Sequence, residues 1–191
     1  MIKHILIVLL LCMSTATFSA NPQDLSKLTK LDAAEKAKGL DLSSADLRSY
    51  QFDPAKNNLQ YANLSHANMA NVDLTRMNLS YADLSYADLS NAMLAHADLS
   101  HANLSHAILR NATLDEADFS KTKMLYAALT DASALQVNFS EADLSCANFD
   151  NADLSKSNFS KTNISSASFV NTIAANITNY DSVTDSHITC N

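Results

Sequence analysis

The residues in this chain with chemistry to offer are histidine, tyrosine, aspartate and cysteine. His66, His96, His101 and His106 each fall two places after a leucine. Imidazoles can shuttle protons or bind metal, but a shared ion needs several ligands converging on one point. Asp73, Asp83, Asp88 and Asp98 could be taken for acid–base pairs, yet each occupies the same slot of a repeated phrase. Acid–base catalysis needs two carboxylates whose surroundings split their pKa values, and one repeated slot gives them all one environment. The chain has a single glycine, Gly39, so phosphate-cradling loops, dinucleotide fingerprints and nucleophile elbows are excluded. No catalytic residue, cofactor site or metal site stands out, and the expected class is not an enzyme.

The element that must position these residues is a beat of five. Taking the large apolar residue as the centre of each unit, the centres run in step from Leu59 through Leu64 and Met69 to Phe169. The residue two before the centre is usually Ala, and the one between is usually Asn or Asp. A helix turns about 100° per residue, so a period of five would scatter the leucines over every face. A continuous strand would throw them alternately to opposite sides. The backbone must therefore bend once per unit, with Ala and the centre inward, Asn or Asp outward, and two residues at the corner. Stacked coils of this kind make a β-solenoid.

The corner residue two after each centre is Asn at Asn71, Asn91, Asn111, Asn151 and Asn171, with Asp131 filling the gap. That period of twenty favours four sides per coil. The inner columns are then Leu59 to Phe159, Leu64 to Ile164, Met69 to Phe169 and Leu74 to Leu154. Each buried side chain contributes about 1.5–3 kcal/mol.

The A-[DN]-L-S-x units, such as Ala62-Asn63-Leu64-Ser65 and Ala152-Asp153-Leu154-Ser155, resemble the pentapeptide-repeat proteins, over Leu40 to Val170. The resemblance implies an all-β fold, a right-handed quadrilateral β-helix of about 20 residues per coil. It implies no activity, since the motif residues in that family build the coil. Some acidic relatives mimic DNA and modulate type II topoisomerases in the cytoplasm, as dimers joined at their C-termini. That is the alternative reading here.

Around the repeat, residues 1–20 read as a cleaved signal peptide, with Lys3 ahead of the apolar run Ile5–Cys12 and small residues at Ser19-Ala20. The run is too short to span a bilayer, so no membrane insertion of the mature chain is expected. Residues 21–39 carry helical spacing at Leu25, Leu28 and Leu31 and end at Gly39, which suggests an N-terminal capping helix. Asp53-Pro54-Ala55-Lys56 adds two residues, so a small outward loop is expected. Ala134 replaces a large centre and should leave a void, with Leu135 the candidate to turn inward. Residues 171–191 read as a polar C-terminal tail or cap. The late phenylalanines, Phe139 to Phe169, leave an apolar end that a second copy could cover, so monomer and homodimer both stand.

On the four-sided lattice Tyr81 lies beneath His101, and His66, Tyr86, His106 and Tyr126 share the next corner. Arg76, His96 and Glu116 share a third. The plain reading is that corners accept almost any residue. The functional reading is a polar-aromatic recognition patch of His66, Tyr81, Tyr86, His101, His106 and Tyr126 on two adjacent edges. Cys146 and Cys190 survive cleavage of the leader, and in an oxidising compartment an even pair suggests a disulfide; two free thiols are the alternative. The formal net charge of −7 argues against binding nucleic acid, which calls for a basic patch. The expected function is an exported, periplasmic or secreted scaffold or protein-interaction surface, its protein partner unknown.

Overall fold

The computed structural model describes residues 40–179. The expected signal peptide, the capping helix of residues 21–39 and the tail from residue 180 lie outside the described residues. Among the described residues there is no helix and no extended strand; the backbone pairs through single-residue parallel bridges separated by turns. The architecture is a β-solenoid.

The bridges give the register. Asn63 pairs with Asp83, Asp83 with Asn103, and the interval of twenty holds up to Asn158 with Thr178. The one exception is the first coil, where Asp41 pairs with Asn63 and Asp46 with Asn68. The two extra residues sit in the loop at Pro54. That loop is closed by Asn57 N–H donating to the Asp53 carbonyl (2.7 Å) and by Asp53 N–H donating to Asn57 Oδ1 (2.8 Å). The coil pattern also runs on past Val170, since Ile173 and Thr178 are still bridged. Backbone pairing needs no leucine at the centre, which is why the fading phrase did not mark its end.

A unit with Asn or Asp in the outward slot uses all its backbone N–H groups, as the one around Leu64 shows. Leu64 N–H donates to Asp83 O of the next coil (2.7 Å), and His66 N–H to Ser85 O (2.8 Å). Asn63 N–H reaches back to Leu40 O (2.9 Å), and Ala67 N–H closes the turn on Leu64 O (3.1 Å). Only the serine N–H is left over, and the outward Asn or Asp takes it: Ser65 N–H donates to Asn63 Oδ1 at 3.1 Å. The same bond recurs at Asp83, Asp88, Asp98 and Asp118. Buried backbone groups must find partners, and this Asx turn is why a short carboxylate or carboxamide fills that slot. From Tyr61 onward the third residue of each turn has φ near +60°, as a type II turn requires.

The centres and inner alanines form one continuous core, with Leu64, Leu84 and Leu104 fully buried. Phe119, Phe139 and Phe159 follow Leu99 in one column, at ring separations of 5.6 Å and 5.2 Å. Ala134 is buried in register, and Leu135 does not turn inward; it stays on the corner, half-exposed. Asp115 of the preceding coil holds it there, accepting Leu135 N–H at 3.0 Å and Ser133 Oγ at 2.7 Å. The distortion appears in the next turn instead. Buried Ser157 inserts its hydroxyl into the corner bond, donating to Ala134 O (2.7 Å) and accepting Val137 N–H (3.0 Å). Val137 stands where most units have Ala, and it is fully buried.

Ser157→Ala should therefore strand a buried N–H and a buried carbonyl, lowering stability by about 1–3 kcal/mol in denaturant unfolding. Acid should weaken the Asx turns as well. Hydrogen bonds from Ser43 hold Asp41 below its ordinary pKa of 3.8, Arg48 does so for Asp46, and the Ser168 hydroxyl for Asp150. Carboxylates depressed in the folded state confer stability that is complete above 3.8 and lost as pH falls through their folded values. The denaturation midpoint should thus hold steady from about pH 7 to 5 and drop towards about pH 3.

Candidate recognition surface

From Tyr61 onward each of these corner side chains is carried by a residue of positive φ, including His66, His96, His101 and His106. That backbone turns the side chain outward, and the twenty-residue register then places like corners directly above one another. Two neighbouring corners become ring columns. On one, Tyr61 stacks on Tyr81 (centroids 4.9 Å) and Tyr81 on His101 (4.5 Å). On the other, His66 stacks on Tyr86 (4.8 Å), Tyr86 on His106 (4.6 Å) and His106 on Tyr126 (5.0 Å). The planes within a pair differ by 2° to 18°.

Stacking covers ring faces and leaves ring edges outward. Tyr81 is 45% exposed and Tyr86 50%. The hydroxyls of Tyr81, Tyr86 and Tyr126 and the imidazole nitrogens of His66, His101 and His106 have no hydrogen-bond partner among the described residues. The side between the columns has a polar floor of Asn63, Asp83 and Asn103, with Asn103 Nδ2 donating to Asp83 Oδ1 at 3.1 Å. On the side beyond the second column, Ile108 is exposed next to His106. A third corner pairs His96 Nδ1 with Glu116 Oε2 at 3.3 Å.

The six residues singled out in the sequence thus sit in two columns on adjacent edges, and Tyr61 joins them. Tyr61 was legible from the same period of twenty, one coil before Tyr81. Exposed Ile108 and Met93 break the Asx slot and were equally readable. The Asp residues at 83, 88 and 98 accept turn bonds and form no carboxylate pair. Tyr86 separates His66 from His106, and among the described residues no cluster of His, Cys, Asp or Glu could hold a metal ion. Cys146, on the same corner as Tyr126, is disulfide-bonded, and the Cys146–Cys190 pairing lies outside the described residues. No helix among the described residues is long and apolar enough to cross a membrane.

Single-residue parallel bridges, a turn every five residues and stacked outer columns define a repeat solenoid whose variable surface is its corners. The pentapeptide-repeat family model matches in eight copies over residues 58–94, 97–133 and 136–171, and the chain belongs to that family. Solved structures similar to it include trypsin-treated QnrB1, a plasmid-mediated fluoroquinolone resistance protein. That match has 19% identity and a TM-score of 0.48, covering 62% of this chain and 64% of that one. A pentapeptide repeat protein of the Arabidopsis thaliana thylakoid lumen matches at 28% identity and TM-score 0.40, over 47% of this chain and 59% of its own. HetL of the cyanobacterium Nostoc, involved in heterocyst differentiation regulation, matches at 26% and 0.29, over 74% and 81%. The chain thus spans less than two thirds of the length of the first two. No curated protein sequence matches significantly.

Removing one ring from a column should loosen its neighbours. Tyr86→Ala takes away two stacked contacts, at about 0.5 kcal/mol or somewhat more each on an exposed edge. The expected result is a stability loss of about 1 kcal/mol, with shifted imidazole proton resonances of His66 and His106 and unchanged ones for His96.

Proposed function

We propose that this chain is an exported, non-enzymatic β-solenoid that presents a rigid protein-interaction surface, its recognition carried by the two ring columns. The coil is read as right-handed and four-sided, with residues 21–39 as its helical N-terminal cap. The carrying observation is the pair of stacked ring columns on adjacent corners, with Tyr81 and Tyr86 half-exposed at their centres. Tyrosine offers large amphipathic contact area with few rotatable bonds, which is why it dominates binding hot spots. Rings already ordered by their neighbours lose less conformational freedom on binding. The partner class this suits is a folded protein with a polar, hydrogen-bonding face.

The carboxylates favour this reading over mimicry of DNA. Among the described residues they alternate with amides, as in Asp41, Asn63, Asp83 and Asn103 along one side, and no column carries more than two in succession. A phosphate backbone presents an unbroken run of negative charge. Export rests on the N-terminal apolar run.

Two measurements test the proposal. Fractionation of the expressed chain should find it outside the cytoplasm, shortened by about twenty residues at the apolar leader; an intact cytoplasmic chain would overturn export. Envelope extract passed over the immobilised protein should yield a captured protein that Tyr81→Ser with Tyr86→Ser releases at least tenfold, while Gln136→Ser on another corner does not. Equal capture by both variants would remove the ring columns from recognition.

A further inference from the structure

The outward Asn or Asp slot is kept through most of the solenoid and given up in one region. From Asn58 to Asp88, and again from Asn138 to Asn163, every unit holds Asn or Asp there. Between them the slot also carries Met93, Ile108, Thr113, Lys123, Ala128 and Ser133. These departures are spread along the chain but, Lys123 apart, gathered in space. Met93, Thr113 and Ser133 bridge one another down one side of the coil, and Ile108 bridges Ala128 down the neighbouring side. The two sides meet at the corner of Asn91, Asn111 and Asp131. Met93 is 44% exposed and Ile108 38%, so apolar surface replaces turn-closing side chains on both flanks of that corner. Departures from a fold's own rule collect at functional sites.

The exchange leaves backbone donors open. On the corner row that follows the Ile108 side, Asp88 accepts Ser90 N–H at 2.9 Å and Asn148 accepts Asp150 N–H at 2.8 Å. In the two coils between, Ile108 and Ala128 have no acceptor to offer. Arg110 N–H and Thr130 N–H accordingly have no partner among the described residues. These two donors lie one coil apart, about 4.8 Å. The Thr130 hydroxyl and the exposed Arg110 guanidinium belong to the same row and are likewise unpartnered among the described residues. A carboxylate has two oxygens that accept separately, and it is held more strongly by such donors than a neutral carbonyl is. Ile108 precedes Arg110 by two residues, so an apolar side chain carried beside that carboxylate meets it.

We infer that Ile108, Arg110 and Thr130 form a docking site for the free C-terminus of a partner chain that ends in an apolar residue. The terminal carboxylate bridges the two N–H groups, a mode of capture that backbone donors are suited to, and the last side chain covers Ile108 and Ala128. A chain end fits better than an acidic stretch, because Asp131, next to Thr130, repels further negative charge. The site is separate from the ring columns and does not depend on what they recognise.

The test is an amide NMR titration of the full chain with acetyl-leucine, which carries a chain-terminal carboxylate beside a branched apolar side chain. Saturable shifts are expected at the Arg110 and Thr130 amides, with those of Ser90 and Asp150 unmoved; no saturable shift at Arg110 and Thr130 would overturn the inference. Acetyl-leucinamide, which lacks the charge, should bind at least tenfold more weakly. Equal binding would reduce the site to an apolar contact and overturn the carboxylate assignment. Ile108→Asn returns an acceptor to the slot, as Asn63 provides for Ser65. That variant should keep or raise Tm while weakening acetyl-leucine at least tenfold, and unchanged affinity would remove Ile108 and the Arg110 N–H from the site. Tyr81→Ser with Tyr86→Ser should leave the titration as it is, so the two surfaces stand or fall separately.

Discussion

One leftover N–H shapes this molecule. A five-residue unit that bends once and stacks on its neighbours satisfies its other backbone donors by coil-to-coil and turn bonds, and strands the serine amide at the corner. The outward Asn or Asp closes that gap from two residues away, as Asn63 does for Ser65. An open donor repeated at every corner would cost about 1–3 kcal/mol each wherever water is excluded. The Asx slot is therefore under structural constraint, and its carboxylates are occupied in holding turns. This is why a surface dense in aspartate contains no acid–base pair.

The same constraint divides the unit into parts that are fixed and parts that are free. Ala, Asx, the centre and the corner serine all have a steric or hydrogen-bonding duty. The residue at positive φ has only its backbone committed, with its side chain pointing away. Glycine would adopt that backbone at the lowest cost, yet the corners carry Tyr, His, Arg, Lys and Asn. Their side chains gain from the neighbour one coil away, through ring stacking at 4.5–5.0 Å or the His96–Glu116 contact. A corner column is thus both the least constrained part of the sequence and the most regular part of the surface.

The fold tolerates local departures through substitution of partners. Where Ser133 replaces an Asx residue, Asp115 from the preceding coil supplies the missing acceptor. Where Ala134 replaces a large centre, the Ser157 hydroxyl enters the turn and bridges its carbonyl and N–H. Register survives both because it is held by the backbone ladder on every side, so a defect on one side is bridged by the intact sides around it. Repeat proteins distribute stability between neighbours in this way.

The beat of five, the inward leucines and the period of twenty were all legible in the sequence, since each is a matter of spacing and side-chain size. The grouping of His66, Tyr86, His106 and Tyr126 followed from that period alone, and so did the extra residues at Pro54. The path of the Ala134 turn was decided only by tertiary structure: whether Leu135 moves in or Ser157 reaches up depends on which acceptor lies within about 3 Å across coils, and no local pattern encodes that distance. The ring geometry was decided there too. Sequence places rings on one corner, but the coil rise and the positive-φ backbone make them parallel, cover their faces and turn their polar edges outward.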